Sequence, residues 1–192
     1  MRNFTEVPKV INEVSKKSMD MPKFVEGLKN SSIDNFNDAD KSLVGHERSR
    51  MLPKEGGIWT GERGNSMFKL NLDDIPKKKN FENKTWSEIL PSNIEGINYN
   101  DGEPDFTVIS KSSVKIDEFS DIRRKNFKQA DILEAQKRGC SPAEVTEWRE
   151  INNYTWHERG DCKTMDLVPS IVHNNIPHSG GISEIKKRNG EI

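Results

Sequence analysis

Three of the four histidines in this chain fall inside one short window, residues 154–181, and this clustering constrains the fold and function most. The three are His157, His173 and His178. Histidine binds metal ions as a neutral imidazole, and its pKa near neutrality also suits it to act as an acid or a base. Three such side chains in one window therefore predict a metal site or an acid–base site that the local fold assembles.

The residue pattern of the window predicts two short strands followed by a helix. Residues 154–156 favour β-structure, residues 159–161 favour a turn, and residues 165–168 form a second short apolar run. Ser170 can serve as the N-cap of a helix that follows. Pro177 stands between the two later histidines and would interrupt the helix, and this break would bring the last histidine back towards the others. The pattern is typical of a compact ββα finger that binds a metal ion.

Several short segments, in the window and ahead of it, follow one another in a specific order. Within the window they are Trp156-His157, Thr164-Met165, Leu167-Val168-Pro169, His173 and His178 with Gly180-Gly181. Upstream they are Gly61 to Ser66, Gly102 to Phe106, Phe127 and Ala130. In this order they resemble the HNH/endonuclease VII superfamily with its ββα-metal finger, specifically the toxin-associated nucleases with a Trp-His-His signature. The resemblance spans roughly residues 56–185 and implies the C-terminal domain of a bacterial polymorphic (LXG-like) toxin.

This resemblance implies a metal-dependent endonuclease that hydrolyses phosphodiester bonds, with DNA as the favoured substrate and RNA as the alternative. It implies one divalent metal ion: Mg²⁺ is favoured by its availability, and Zn²⁺, Ni²⁺ or Mn²⁺ would also suit the site. It further implies an antibacterial toxin, secreted as part of a larger protein, that acts in the target-cell cytoplasm and has a cognate immunity protein. Membrane insertion is not expected, because no apolar run is long enough to span a bilayer.

The resemblance also implies roles for residues of the finger. In the family, the pair that closes the first strand supplies one metal ligand and one general base, and the helix supplies further ligands. His157 takes the first place of this pair and Glu158 the second, where the family pattern has another histidine. The helix positions fall on His173 and His178.

Two arrangements of these residues stay open. In the first, the three histidines bind the metal ion and Glu158 is the base, although a carboxylate is a weaker base than an imidazole. In the second, His157 is the base, the ion is held by His178 with His173 or Asp161, and Glu158 only orients or packs. Neighbouring residues of a strand point to opposite faces, which favours the second arrangement.

Few residues stand out as contacts for nucleic acid. The formal net charge is −1, so a phosphate-binding surface would need a local concentration of positive charge. Arg63, whose planar guanidinium can clamp a phosphate, and Lys163 are the candidate nucleic-acid-binding residues. Lys77 to Lys79 form a candidate electrostatic patch.

The length of the chain suits one domain with a tail, and its 32% apolar and 32% charged residues predict a small core. We predict a linker or pre-toxin segment at residues 1–50, partly flexible, and an α+β nuclease domain at residues 51–192. The finger, embedded in this domain, is flanked by two predicted helices. One helix is expected at residues 121–138 with Ser120 as its N-cap, and the other at residues 142–152 behind a capping box.

A rival interpretation is a non-catalytic zinc-binding module that binds a partner. Such a site would be closed by four ligands, with Cys162 added to the three histidines. Cys140 is the only other cysteine, so the chain has no disulfide framework. The predicted turn position of Cys162 favours an ordinary structural cysteine over a metal ligand.

Overall fold

The computed structural model describes residues 51–191. The predicted linker at residues 1–50 lies outside the described residues and stays a prediction. The described elements are β1 (Gly57–Trp59), β2 (Met67–Leu70), α1 (Trp86–Ile89), β3 (Gly96–Asn100), β4 (Glu103–Pro104), β5 (Ser112–Lys115), α2 (Arg123–Arg138), α3 (Pro142–Ile151), β6 (Tyr154–Glu158), β7 (Thr164–Pro169), α4 (Ser170–Asn175) and α5 (Gly181–Arg188). Helices and antiparallel strands occur together, which confirms the predicted α+β class.

The strands form two antiparallel sheets. The first sheet has the order β1-β2-β3-β4 and the second the order β5-β7-β6. In the second sheet, β6 pairs with β7 so that Trp156 lies opposite Leu167 and His157 opposite Asp166. Together with α4, these two strands form a ββα unit, as the sequence pattern predicts, and β5 extends the sheet on the other side of β7.

The helix of this unit, α4, is short because proline lies close to both of its ends. It begins at Ser170 itself, with Pro169 at the N-cap position, so the predicted cap is one residue too late. It ends before Pro177, which lacks the N–H that a further turn would need. His173 therefore lies on α4, whereas His178 lies beyond it, on the far side of the break that the proline predicts.

The helix α2 begins two residues later than predicted, because side chains hold the preceding residues in a non-helical form. The Asn126 side chain accepts a hydrogen bond from the Ser120 N–H at 2.8 Å and donates one to the Ser120 carbonyl at 2.7 Å. The Ile122 N–H donates to the Ser120 hydroxyl at 3.1 Å. Helical hydrogen bonding consequently starts at Arg123.

The connection between α2 and α3 follows the sequence prediction. Gly139 ends α2 with φ of 67°, a left-handed conformation that glycine adopts without steric cost. Ser141 and Glu144 form the predicted capping box, and Pro142 occupies the first turn of α3. No helix among residues 51–191 combines the length and the apolar character needed to span a bilayer.

The finger lies between two hydrophobic clusters, because β7 buries both of its faces. Val168 packs with Val172 and Ile176 in a cluster that includes the strands of the first sheet. Met165 and Leu167 point the other way and pack in a second cluster with residues of β5 and α2. Burial on both faces fixes β7 from two sides, and β6 with its terminal His-Glu pair is held against it.

Candidate metal centre

Three imidazole rings from separate parts of the finger converge on one point. His157 comes from the end of β6, His173 from α4, and His178 from the segment that follows α4. The ring centroid of His157 lies 5.4 Å from that of His173 and 4.8 Å from that of His178, and the last two rings are 4.9 Å apart. One nitrogen atom from each ring lies within 4.8 Å of the other two. The three side chains are therefore close enough to bind one ion together.

The backbone after α4 fixes the orientation of His178. The Nδ1 atom of His178 lies 2.7 Å from the Ile176 carbonyl oxygen. Because a carbonyl oxygen only accepts hydrogen bonds, Nδ1 carries the proton and donates it. The lone pair is then on Nε2, and a carbonyl that holds the other ring nitrogen in this way is the usual partner of a metal-binding histidine.

An aromatic ring packs edge-on against the histidine cluster. The Phe106 ring lies 4.9 Å from the His157 ring and 5.3 Å from the His178 ring, in T-shaped contacts, and 6.0 Å from the His173 ring. Phe106 lies two residues after the end of β4 and is almost fully buried, with 1% of its surface exposed. It therefore gives the three imidazoles an apolar neighbour on one side.

The environment favours the neutral form of all three imidazoles. Burial lowers the pKa of His157 well below its usual value, and the neighbouring His178 and His173 lower it further. Burial, followed by His178 and Arg123, lowers the pKa of His173 to about 3. Burial also lowers the pKa of His178, although the Ile176 carbonyl acts in the opposite direction. Neutral imidazoles are the form that binds metal ions.

The ring nitrogens of His157 have no hydrogen-bond partner among the described residues, although the side chain is only 1% exposed. A buried polar group left without a partner costs about 1–3 kcal/mol. Three imidazole nitrogens that converge in this way, with both His157 nitrogens lacking a hydrogen-bond partner among the described residues, fit a divalent transition-metal ion. Three protein ligands with an open fourth position are typical of catalytic metal sites, whereas structural sites are closed by four.

Glu158 is buried beside the cluster and is held by α2. Its Oε2 atom accepts a hydrogen bond from Arg123 Nε at 2.9 Å, and its Oε1 atom accepts one from Asn126 Nδ2 at 2.9 Å. Glu158, Arg123 and the three histidines all line one cavity of about 720 Å³. The two members of the His-Glu pair therefore reach the same cavity at the end of β6, although strand alternation predicts opposite faces.

None of the remaining site candidates lines the cavity of the three histidines. The Asp161 carboxylate accepts hydrogen bonds from the Lys163 N–H at 2.9 Å and from the Thr164 N–H and hydroxyl at 2.8 and 2.6 Å. These bonds close the β6–β7 turn, and Asp161 does not belong to the group of potential ligand atoms. Lys163 is exposed in the same turn. Arg63 donates to the Leu52 carbonyl at 3.2 Å. Neither basic residue lines the cavity.

Both cysteines are free, as the sequence predicts. Cys162 is buried in the β6–β7 turn, and its Sγ atom lies 3.6 Å from the Gly181 carbonyl oxygen. Burial raises the pKa of this thiol, which disfavours the thiolate form that binds metal. Cys162 does not belong to the group of potential ligand atoms.

Three residues of the site have no role that the sequence pattern predicts. Phe106 lies in the upstream block that carries the family resemblance, but this block does not indicate its contact with the imidazoles. Arg123 and Asn126 are three residues apart, which places them on one face of α2. That spacing is visible in the sequence, but nothing local to the helix indicates that this face meets Glu158.

Two comparisons with known proteins bear on this site. The family model for the DNase/tRNase domain of colicin-like bacteriocin matches residues 96–180, which is less than half of the chain. No curated protein matches the chain. The matched segment runs from β3 to just beyond His178 and contains the three histidines, Glu158 and the face of α2 that holds it. Over residues 96–180 the chain is thus similar to the nuclease domain of colicin-like bacteriocins, which supports a nuclease toxin domain with a nucleic-acid substrate.

Proposed function

We propose that this protein is a metal-dependent endonuclease of the HNH type. The observation that carries the proposal is the group of three neutral imidazoles within 4.8 Å of one another, beside a buried glutamate. Its location in a segment similar to DNase/tRNase domains supports phosphodiester hydrolysis over other metal-assisted chemistry. The group of potential ligand atoms does not include Cys162, which argues against the rival interpretation, a zinc module closed by four ligands.

In this proposal His157, His173 and His178 hold the ion. A bound divalent ion would neutralise charge on the phosphate and stabilise the leaving oxygen. Glu158 accepts a proton from the attacking water: each of its oxygens receives one hydrogen bond from α2, and further lone pairs remain on the carboxylate. This is the first of the two arrangements that the sequence leaves open. Arg123, whose side chain is 61% exposed, orients Glu158 from the cavity wall.

The donor atoms bear on the choice of ion. Mg²⁺ prefers oxygen ligands in octahedral geometry, whereas imidazole nitrogen suits Zn²⁺, Ni²⁺ and other transition metals. We therefore propose Zn²⁺ or Ni²⁺ as the tightest-bound ions, with Mn²⁺ or Mg²⁺ as weaker alternatives that availability can favour. DNA is the proposed substrate and RNA the alternative.

The biological setting belongs to the same proposal. We assign residues 51–192 to the nuclease domain of a larger secreted toxin that acts in the cytoplasm of a target cell. A cognate immunity protein would protect the producing cell by covering the cavity. Expression of the domain would then be toxic, and co-expression of the immunity partner would relieve the toxicity.

The test combines cleavage with metal binding. Plasmid DNA and a structured RNA are incubated with the protein and Zn²⁺, Ni²⁺, Mn²⁺ or Mg²⁺, with and without chelator, and calorimetry measures the ion affinity of the wild type and of His157→Ala. We expect cleavage that the chelator abolishes and a His157→Ala variant that loses the ion. A variant that keeps full ion affinity but loses turnover would make His157 the base instead. Tightly retained zinc with no cleavage of either substrate would support the binding module.

A further inference from the structure

The cavity that contains the histidines extends beyond the segment similar to nuclease domains. Part of its wall is formed by the loop between β2 and α1, residues 71–85, which precedes that segment. Lys77 and Lys78 of this loop line the cavity. The lysine run, a candidate electrostatic patch on sequence grounds, is therefore brought to the same cavity as the three imidazoles.

Reciprocal hydrogen bonds attach this loop to the helix that carries His173. The Lys78 N–H donates to Asn175 Oδ1 at 3.0 Å, and Asn175 Nδ2 donates to the Lys78 carbonyl at 2.7 Å. Asn175 is the last residue of α4, two residues after His173, and it also donates to the Ile171 carbonyl at 2.7 Å. These bonds hold the backbone of the loop against α4, the helix that carries His173.

The loop is also braced internally. The Asn80 side chain donates to the carbonyls of Pro76 and Lys84 at 2.9 and 2.7 Å and accepts from the Lys84 N–H at 3.0 Å. Pro76 is buried, so the start of the lysine run is anchored in the protein. A loop that is braced and attached in this way presents its side chains without a further cost of ordering the backbone.

Lys77 and Lys78 have no acidic partner among the described residues. Both are exposed, and neither forms an ion pair with any residue among 51–191. Three acidic residues share the cavity: Glu158 is bound by Arg123, and Asp74 Oδ1 accepts a hydrogen bond from Asn71 at 2.7 Å, while Glu55 is exposed. The ammonium groups of the two lysines are therefore available to bind a negatively charged polymer such as nucleic acid.

We propose that Lys77 and Lys78 form a phosphate clamp that binds the nucleic-acid backbone beside the scissile phosphate. This inference rests on the proposed nuclease function and adds a binding subsite outside the segment that resembles nuclease domains. It gives a chain with a formal net charge of −1 a local means of holding a polyanion: two exposed lysines on a fixed loop line the cavity of the three histidines. Arg63 and Lys163, which lie outside the cavity, are not needed for it.

The test measures binding apart from cleavage. Fluorescence anisotropy follows a labelled DNA duplex binding to the protein in chelator, between about 50 and 200 mM salt. The clamp variant is Lys77→Ala/Lys78→Ala, and the matched control is Lys115→Ala/Lys128→Ala, which removes the same charge from two exposed lysines outside the cavity. Kinetics with the metal-loaded proteins then give kcat and KM.

Each lysine that neutralises a phosphate contributes about 0.9 to the slope of log K against log salt, so the clamp variant should lose about 1.8 from that slope. Its affinity deficit relative to wild type should accordingly shrink about tenfold between about 50 and 200 mM salt. KM should rise while kcat is kept, and the control pair should match the wild type in both slope and KM.

An unchanged slope in the clamp variant, or an equal loss in the control pair, would overturn the clamp. This outcome is distinct from failure of the nuclease proposal, which would be a wild-type protein that never cleaves with any divalent ion. Since binding is measured in chelator, the comparison of slopes decides the clamp even in that case.

Discussion

Two buried polar clusters meet at Trp156 and His157, which are neighbours in β6. They differ in whether their polar atoms have hydrogen-bond partners. In the first, Asp131 of α2 accepts hydrogen bonds from Trp156 Nε1 at 2.8 Å, from Arg149 Nε and Nη2 at 2.8 and 2.7 Å, and from the Thr146 hydroxyl at 2.8 Å. In the second, the next residue of the strand, His157, has no partner for either ring nitrogen among the described residues.

The contrast separates what stabilises the fold from what serves the site. A buried carboxylate that accepts four hydrogen bonds, two of them from an arginine, locks α2, α3 and β6 together. A buried imidazole without partners is energetically unfavourable in the metal-free protein, and its neutral lone pair is available to a ligand. Trp156 and His157, at adjacent positions, therefore differ: the Trp156 indole is hydrogen-bonded within the network, and the His157 ring nitrogens have no partner among the described residues.

The largest effect is expected from removing one imidazole. His173→Ala should lower kcat/KM for cleavage by about 10²- to 10⁴-fold, because a metal ion supplies several kcal/mol of transition-state stabilisation. Its unfolding free energy in chelator should change by less than that of an Asp131 variant, since the lost side chain is not part of the satisfied network. Cleavage kinetics and urea unfolding measure the two quantities, with Lys115→Ala as the control. A variant that keeps wild-type kcat/KM would remove His173 from the site.

The converse experiment breaks the satisfied cluster. Asp131→Ala leaves the Arg149 guanidinium buried without its carboxylate and should lower the free energy of unfolding by about 3–5 kcal/mol. The double variant Asp131→Leu/Arg149→Met removes both charges and should recover much of that loss. Urea unfolding of the two variants in chelator checks the prediction. A loss below about 1 kcal/mol in Asp131→Ala would mean that this network does not hold the three elements together.

Much of the finger could be predicted from sequence, because its signals are local. The β-favouring residues 154–156, the turn and the apolar run in residues 165–168 specify the hairpin, and Pro177 marks the end of the helix. The three histidines of the candidate metal site lie within one short window, so their spacing alone indicates that they can meet.

The surroundings of the site could not be predicted in the same way, because they depend on long-range packing. Phe106, Arg123 and Asn126 reach the finger from segments 31 or more residues upstream of His157, and no periodicity within those segments indicates their partner. Alternation along β6 favoured His157 over Glu158 as the base, yet both line the cavity at the strand end. The hydrogen bonds between Lys78, in the loop of residues 71–85, and Asn175 join residues 97 positions apart.

A bound ion should give the histidine nitrogens a partner and thereby stabilise the protein. At about 100 times its dissociation constant, an ion that binds only the native state adds about 2.7 kcal/mol to the free energy of unfolding. For a domain of this size the Tm should rise by roughly 5–10 °C. Thermal unfolding with Zn²⁺ or Ni²⁺ measures the shift, and His173→Ala should show little of it while Asp131→Asn keeps it. An equal shift in both variants would place the bound ion elsewhere.

The pH dependence of stability gives the smallest effect and tests the burial of the His173 imidazole. The folded-state pKa of His173 is about 3, far below the value near 6.5 expected in the unfolded chain. Between these values the unfolded state binds a proton that the native state does not, so stability is complete above about pH 6.5 and falls as the pH is lowered. The slope is about 1.4 kcal/mol per pH unit, so between about pH 6 and 4.5 the wild type should lose about 2 kcal/mol more than His173→Gln. Urea unfolding in chelator provides both curves, and carboxylate titrations contribute alike to each. Parallel curves would mean that His173 is as readily protonated in the native state as in the unfolded chain, and His173 would not be a neutral member of the cluster.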